Sequence, residues 1–344
     1  MRFYGICFCL LTVVLAVLPL LPSGLSEEQA GTTKEETLLA VVDDSVLQSE
    51  EKTDVPTLSQ YPMGKIQHFS IRNAQTGALE TVSVEEFVLG AVCSEMPATF
   101  HPEALKAQAV SARTWAVYQQ LWQKEHPSQD LNGADFQADP HNWKGYVTEE
   151  QAKERFGDKF EEYWSALSQA VEETKGQVLC CDGEPIAAAY HAISAGKTEA
   201  AEYVWGSALS YLQAVDSRGD ELAPGFEETL TFTDSELKTI FSAVNFEDDA
   251  SSWLEIVERS PSGYVTEIQV GDLSMTGLDF RSALELRSSC FTITHDEAGF
   301  HVTTKGYGHG AGLSQYGADF MARQGSSYAE ILSHYYQGAE LYSW

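Results

Sequence analysis

Cations are scarce in this chain. Lys and Arg together number 21 against 51 Asp and Glu, a formal net charge of −30. That balance speaks against nucleic-acid backbones and anionic lipid headgroups, both of which need a cationic face, so no nucleic acid is expected as a partner. Cysteine is sparse and irregular: Cys7 and Cys9 near the start, then Cys93, Cys180, Cys181 and Cys290. Such spacing makes neither a disulfide framework nor, without a CxxC pair, a zinc ribbon. There is no HExxH and no internal repeat. Cys180 and Cys181 are expected to face opposite sides of a strand.

What is present begins with MRFYGICFCLLTVVLAVLPLLPSGLS, one arginine followed by an apolar run. Residues 1–26 read as a signal peptide or an N-terminal membrane anchor, with the body outside the cytoplasm. Cleavage near Ser23 to Ser26 and retention both agree with it. Residues 27–64 are acidic and lack aromatics before Tyr61, as a flexible tether would. Residues 65–344 form the folded domain. Strands are predicted over 66–71 and 79–84, a short helix over VEEFVLGAV, and a helix from Pro102 to about Trp122. On that helix Leu105, Ala109, Ala112 and Ala116 share a stripe, with Glu103, Lys106 and Gln119 on the wet side. Helical pattern at 149–174 precedes a strand pair, QVLCC and IAAAYHAIS, across DGEP. Thr233 and Glu236 are spaced as a capping box, and Pro261-Ser262-Gly263 joins a hairpin. A short helix near 278–286, two strands, a glycine-rich loop and two helices follow. Strands and helices interleave without repeated βαβ units, so the class is α+β, mixed helices and antiparallel strands in one extracytoplasmic domain.

Three clusters can carry chemistry. Glu95, between Cys93 and Met96-Pro97, is poorly solvated, which raises a carboxyl pKa and suits a proton donor. The competing reading is an ordinary loop or helix-end glutamate. The second cluster, 190–206, holds Ser194-Ala195-Gly196-Lys197-Thr198. It mimics the end of a phosphate loop, but His191 stands where that loop needs glycine. The third, KGYGHGAGLSQYGADFMA, surrounds His309 with glycines and carries Ser314-Gln315-Tyr316. A zinc peptidase built on His309 and Asp319 is a weaker reading, since that spacing alone specifies little.

Taken together, EEFVLGAVCSEMP, EALKAQAVSARTWA, GEPIAAAYHAISAGKTEAAEYVW and GYGHGAGLSQYGADFMA, in that order, resemble the stage II sporulation protein D family of cell-wall enzymes. The resemblance spans roughly 65–344. It implies a lytic transglycosylase that cleaves between N-acetylmuramic acid and N-acetylglucosamine without water. The muramic acid's own 6-hydroxyl is the nucleophile, so a single carboxyl, Glu95, is the catalytic residue. Glycan contacts implied by motif are Gln108, Arg113, His191, Ser194, Gly196, Lys197, Thr198, His309, Gly310, Ser314, Gln315 and Tyr316. Arg113 has the alternative of a structural ion pair, and Lys197 that of fixing a loop.

The resemblance further implies peptide-stripped peptidoglycan strands as substrate, in septal wall thinning and engulfment during endospore formation. A cell-wall amidase and a membrane protein of the engulfment machinery are the implied partners, and no cofactor is. The loop reads SAGK where relatives usually carry two glycines. Some relatives hold zinc through cysteines and a histidine after the catalytic helix. Here the insertion 126–146 has His126 and His141 but no cysteine, so no metal is expected. The rival function is a non-catalytic glycan-binding protein that recruits or enhances an amidase.

Overall fold

Pro97 fixes where the first helix stops. The residue before a proline is pushed out of the helical region, and Met96 sits extended at φ −122°, ψ 142°. The helix α1 (Val84–Glu95) therefore ends on Glu95, two residues beyond the predicted end near Cys93. Ser83 starts it with a capping box, accepting from Glu86 N–H while the Glu86 side chain reaches back to the Ser83 N–H.

The computed structural model describes residues 65–140 and 144–343. The strands β1 (His68–Asn73) and β2 (Leu79–Ser83) precede α1. After it come α2 (Pro102–Glu125), β3 (Phe136–Ala138), α3 (Glu149–Phe156) and α4 (Phe160–Glu173). Next are β4 (Gln177–Cys181), β5 (Glu184–Pro185), β6 (Tyr190–His191) and α5 (Ala201–Trp205). A β-rich stretch follows: β7 (Glu227–Phe232), α6 (Asp234–Ile240), β8 (Leu254–Arg259), β9 (Val265–Val270), β10 (Leu273–Thr276), α7 (Gly277–Ala283), β11 (Phe291–Asp296) and β12 (Gly299–Lys305). The chain closes with β13 (Leu313–Ser314), α8 (Gln315–Arg323), α9 (Tyr328–Tyr335) and β14 (Glu340–Ser343).

The class is α+β, with small sheets ordered β2-β1-β3, β14-β4-β5, β13-β6, β10-β9-β8 and β11-β12-β7. Most pairings are antiparallel; β3 with β1 and β13 with β6 are parallel. The expected pairing of QVLCC with IAAAYHAIS does not form: β4 pairs with β5 and β14, and Tyr190–His191 pairs with β13 instead, because Ile186 to Ala189 pack into the core without ladder pairing. β10 and β14 were not anticipated.

Helix α2 is the axis of the larger core. Leu105, Ala109, Ala112 and Ala116 are buried as predicted, but Gln119 is buried too. The wet face expected there is covered because α1, α4, α8, α9 and β4 all pack on α2. Alanines at 104, 107, 109, 112 and 116 let neighbours approach, while each buried Leu or Val such as Leu105, Val110 and Val117 contributes roughly 1.5–3 kcal/mol. A separate core, with Trp253, Ile268, Phe280, Phe291 and Phe300, fills the β-rich stretch. No described helix is long and apolar enough to cross a membrane; the predicted anchor and tether lie outside the described residues.

Candidate active site

Glu95 is 2% exposed, a buried carboxyl at the end of a helix. Burial pushes its pKa up to about 8, partly offset by hydrogen bonds from the Gln315 side chain and the Gly145 N–H. The negative end of the α1 dipole works in the same direction as burial. Its Oε2 has no hydrogen-bond partner among the described residues. Gly90 lets the covering segment close in: a Cβ there would stand 2.3 Å from Val147 O and 2.5 Å from the Tyr146 ring.

Two glutamines flank the acid. Gln108 on α2 is fully buried and its Oε1 accepts from Gln315 Nε2 at 3.5 Å, leaving its own Nε2 without a partner. Gln315 opens α8, whose N-cap is Ser314. The register Leu313↔Tyr190 and Ser314↔His191 brings β13 beside β6. Tyr190 also faces the acid: burial, then the charge of Glu95 and then Tyr336, push its phenol far above the ordinary value. Tyr190 lies within the motif but is not one of the contacts that the resemblance implies.

The histidines form a second group. Nδ1 of His191 lies 3.0 Å from Ala311 O, and Ala311 N–H donates to His309 Nδ1 at 3.1 Å. These partners assign opposite tautomers, with a bare Nε2 on His191 and an Nε2–H on His309. The rings are 5.7 Å apart, and Trp205 lies 5.1 Å from His309. Burial holds His191 at about 4 and His309 well below its usual value, so both are neutral at physiological pH. Neither supplies positive charge to a substrate.

Several expected contacts have their polar atoms committed within the fold. Arg113 is fully buried, 2.6 Å from Glu85 Oε2, and donates to Ala109, Val171 and Gln177 carbonyls. The ion-pair alternative describes its place: Glu85 is in the first turn of α1 and Glu95 its last residue, about 15 Å apart along the helix. Ser194 and Ser314 both donate to Asp220. Thr198 exchanges hydrogen bonds with Val215 backbone, and Gly310 O accepts from Glu199 N–H. Gly196 has φ +94° and needs to be glycine, whereas Ala195 keeps an ordinary negative φ, so alanine is accommodated there. Lys197 is half-buried, and its charge acts on Glu199. Tyr316 is half-buried, edge-on to Phe100 at 4.9 Å.

Asp319 accepts from His101 N–H and Arg323 Nε, both at 2.7 Å, so it is spent on scaffolding and not on a site with His309. No group of three His, Cys, Asp or Glu side chains among the described residues could hold a metal ion. His126 stacks on Trp122 at 4.0 Å, and His141 lies outside the described residues. Two buried carboxylates stand outside the expected contacts: Asp220, inside SRGDEL, and Glu199, whose carboxylate bonds Ser260 and Ala200 N–H.

The family model described as stage II sporulation protein matches residues 72–180, a span that includes Glu95 and Gln108. Stage II sporulation protein D of Bacillus amyloliquefaciens is 35% identical over 85% of this chain and 82% of its own length. Its counterpart from Bacillus subtilis is 35% identical over 77% of this chain and 76% of its own. A Bacillus subtilis protein named amidase enhancer is 28% identical over 74% of this chain but only 40% of its own length. With this identity over most of two full-length relatives, the chain belongs to the stage II sporulation protein D family.

Proposed function

We propose that this protein is a lytic transglycosylase of sporulation that cuts peptide-stripped glycan strands of peptidoglycan. The observation that carries the reading is Glu95: one buried carboxyl, held at about 8, and so protonated at neutral pH. Among the described residues no second carboxylate is among the groups that act on it. Two-carboxylate glycosidases need such a partner for water or for a covalent intermediate. A reaction whose nucleophile belongs to the substrate does not.

In the proposed step Glu95 gives its proton to the glycosidic oxygen as the bond from muramic C1 breaks. The muramic 6-hydroxyl oxygen then bonds to C1, and its proton returns to the Glu95 carboxylate. The products are a 1,6-anhydro end and a free 4-hydroxyl, with no water consumed. The unpartnered Gln108 Nε2 is a donor available to a sugar oxygen beside the acid. A stripped strand carries lactyl carboxylates, and with Arg113 buried in the core, Lys197 on its half-buried loop is the cation assigned to them in this reading. The site in this reading faces the space outside the cytoplasm, with residues 1–26 as anchor or cleaved signal, and works beside an amidase and an engulfment membrane protein.

The test is to incubate the full-length protein and its Glu95→Gln variant with peptide-free and peptide-bearing strands, reading ends by mass spectrometry. Anhydro ends from peptide-free strands, lost in the variant while glycan binding persists, are expected. Reducing ends would mean that water is the nucleophile and would sink the one-carboxylate mechanism. The relative named amidase enhancer favours a second reading, a glycan-binding partner of an amidase. It predicts binding without products from either form, and faster peptide release when an amidase is added.

A further inference from the structure

Asp220 sits in a five-residue 3-10 helix, Arg218–Leu222, with none of its surface exposed. Its Oδ2 accepts from Ser194 N–H at 2.9 Å and from Ser194 Oγ at 2.5 Å, and its Oδ1 accepts from Ser314 Oγ at 2.7 Å. One carboxylate thus ties the loop after β6 to the residue that starts α8. Ser314 is the N-cap of that helix, accepting from Gly317 N–H at 3.4 Å. A hydroxyl has one proton, so donating it to Asp220 leaves the lone pairs turned toward the helix. The carboxylate also lies at the positive end of the α8 dipole.

The seat is fitted as well as bonded. A Cβ on Gly317 would stand 2.1 Å from Tyr335 Oη, 2.3 Å from Ser217 Oγ and 3.3 Å from Asp220 Oδ1. A Cβ on Gly219 would stand 2.4 Å from the Phe320 ring. Two glycines, one on each element, leave no slack between α8 and the 3-10 helix. Ser217 Oγ and Tyr335 Oη share a hydrogen bond at 2.7 Å, which closes the back of the seat with α9. The residue next to Ser314 is Gln315, whose amide meets both Glu95 and Gln108.

We propose that Asp220 is a positioning residue for Glu95: it fixes Ser314 and the first turn of α8, and so holds Gln315 against the acid. The inference rests on the reading of Glu95 as the proton donor. Asp220 acts through Ser314 and Gln315, not on the substrate. Its own removal is therefore expected to change how Glu95 titrates, an effect that a purely structural carboxylate would not have.

The experiment follows the Glu95 carboxyl by NMR in full-length protein labelled with 13C-glutamate, its line identified by its loss in Glu95→Gln. Asp220→Ala and Ser314→Ala are each expected to raise the Glu95 midpoint by about half a unit or more, since both release the Gln315 bond that lowers it. Turnover of peptide-free strands should fall roughly tenfold, in kcat and with KM nearly unchanged. In a Gln315→Ala background neither substitution should move Glu95 further, the non-additivity expected of a chain of contacts. A lowered melting temperature with wild-type Glu95 titration would overturn the proposal, as would additive effects with Gln315→Ala. Ser314→Ala carries the test alone should Asp220→Ala not fold. Coupled titration in a wild-type protein that releases no sugar products would remove the transglycosylase reading and leave the positioning intact.

Discussion

A carboxyl pushed up to about 8 by burial, against 4.5 for an unperturbed glutamate, links stability to pH and, in the proposed reaction, to activity as well. Between those values the native state holds a proton that the unfolded chain has lost, so stability falls as pH rises through that window. Glu95→Gln removes the cost of a buried carboxylate. It should be more stable than wild type at pH 8 by on the order of 1–3 kcal/mol, with the gap closing toward pH 4.5, as thermal melts across pH would show. The proposed chemistry runs with the same sign: with Glu95 as donor, kcat/KM should hold on the acid side and fall as pH rises through about 8. Arg113 is the contrasting case. Substituting Ala there strands the partly exposed Glu85 and opens the space of a fully buried guanidinium. A loss of about 3–5 kcal/mol is expected in denaturant unfolding, without a selective change in glycan affinity of the folded fraction. From sequence both roles of Arg113 were open, because only its own burial separates a ligand-facing cation from a core one.

At the scale of the element, both ends of α1 are set by local signals, although its end was expected two residues early. Its capping box is the local pattern S-x-x-E, and Met96-Pro97 dictates its end through sterics between neighbours. Thr233 and Glu236 were legible for the same reason and do cap α6. What lies between helices was not. Gln119 reads as a wet-side residue until α2 is known to be wrapped by its neighbours, and nothing local in Ile186 to Ala189 says that a strand-like run will pack without pairing. Asp220 was hidden differently, as one charge in SRGDEL whose partners are 26 and 94 residues away. The close approach at Gly90 yields a test at this scale. Gly90→Ala should push Tyr146 and Val147 off α1 and take Gly145 N–H from Glu95. The protein should lose roughly 1–3 kcal/mol to overpacking, measurable in denaturant unfolding.

Across the whole molecule, two cores meet around one loop. The β8–β9 hairpin belongs to the β-rich core, yet Ser260 donates to Glu199. Tyr264 accepts from Ala195 N–H at 3.0 Å and donates to Lys197 O at 3.3 Å. The loop that carries Lys197 is therefore held from the far core. Tyr264→Phe should speed amide exchange at Ala195 while leaving exchange in α2 unchanged, read by hydrogen–deuterium exchange. Uniform acceleration in both places would mean global destabilisation instead. No sequence pattern announces this arrangement, since the hairpin and the loop are each ordinary by themselves and meet only through tertiary packing. The two-residue pairing of β6 with β13 has a consequence in time as well as space. Glu95 is made well before Gln315, so a chain still being synthesised, or one truncated before α8, carries the acid without the glutamine that flanks it. Such a chain lacks one of the two bonds that offset the effect of burial on Glu95. Acid and flanking amide meet only once β13 has paired with β6, so the last tertiary contact of this region is also the one that completes the surroundings of Glu95.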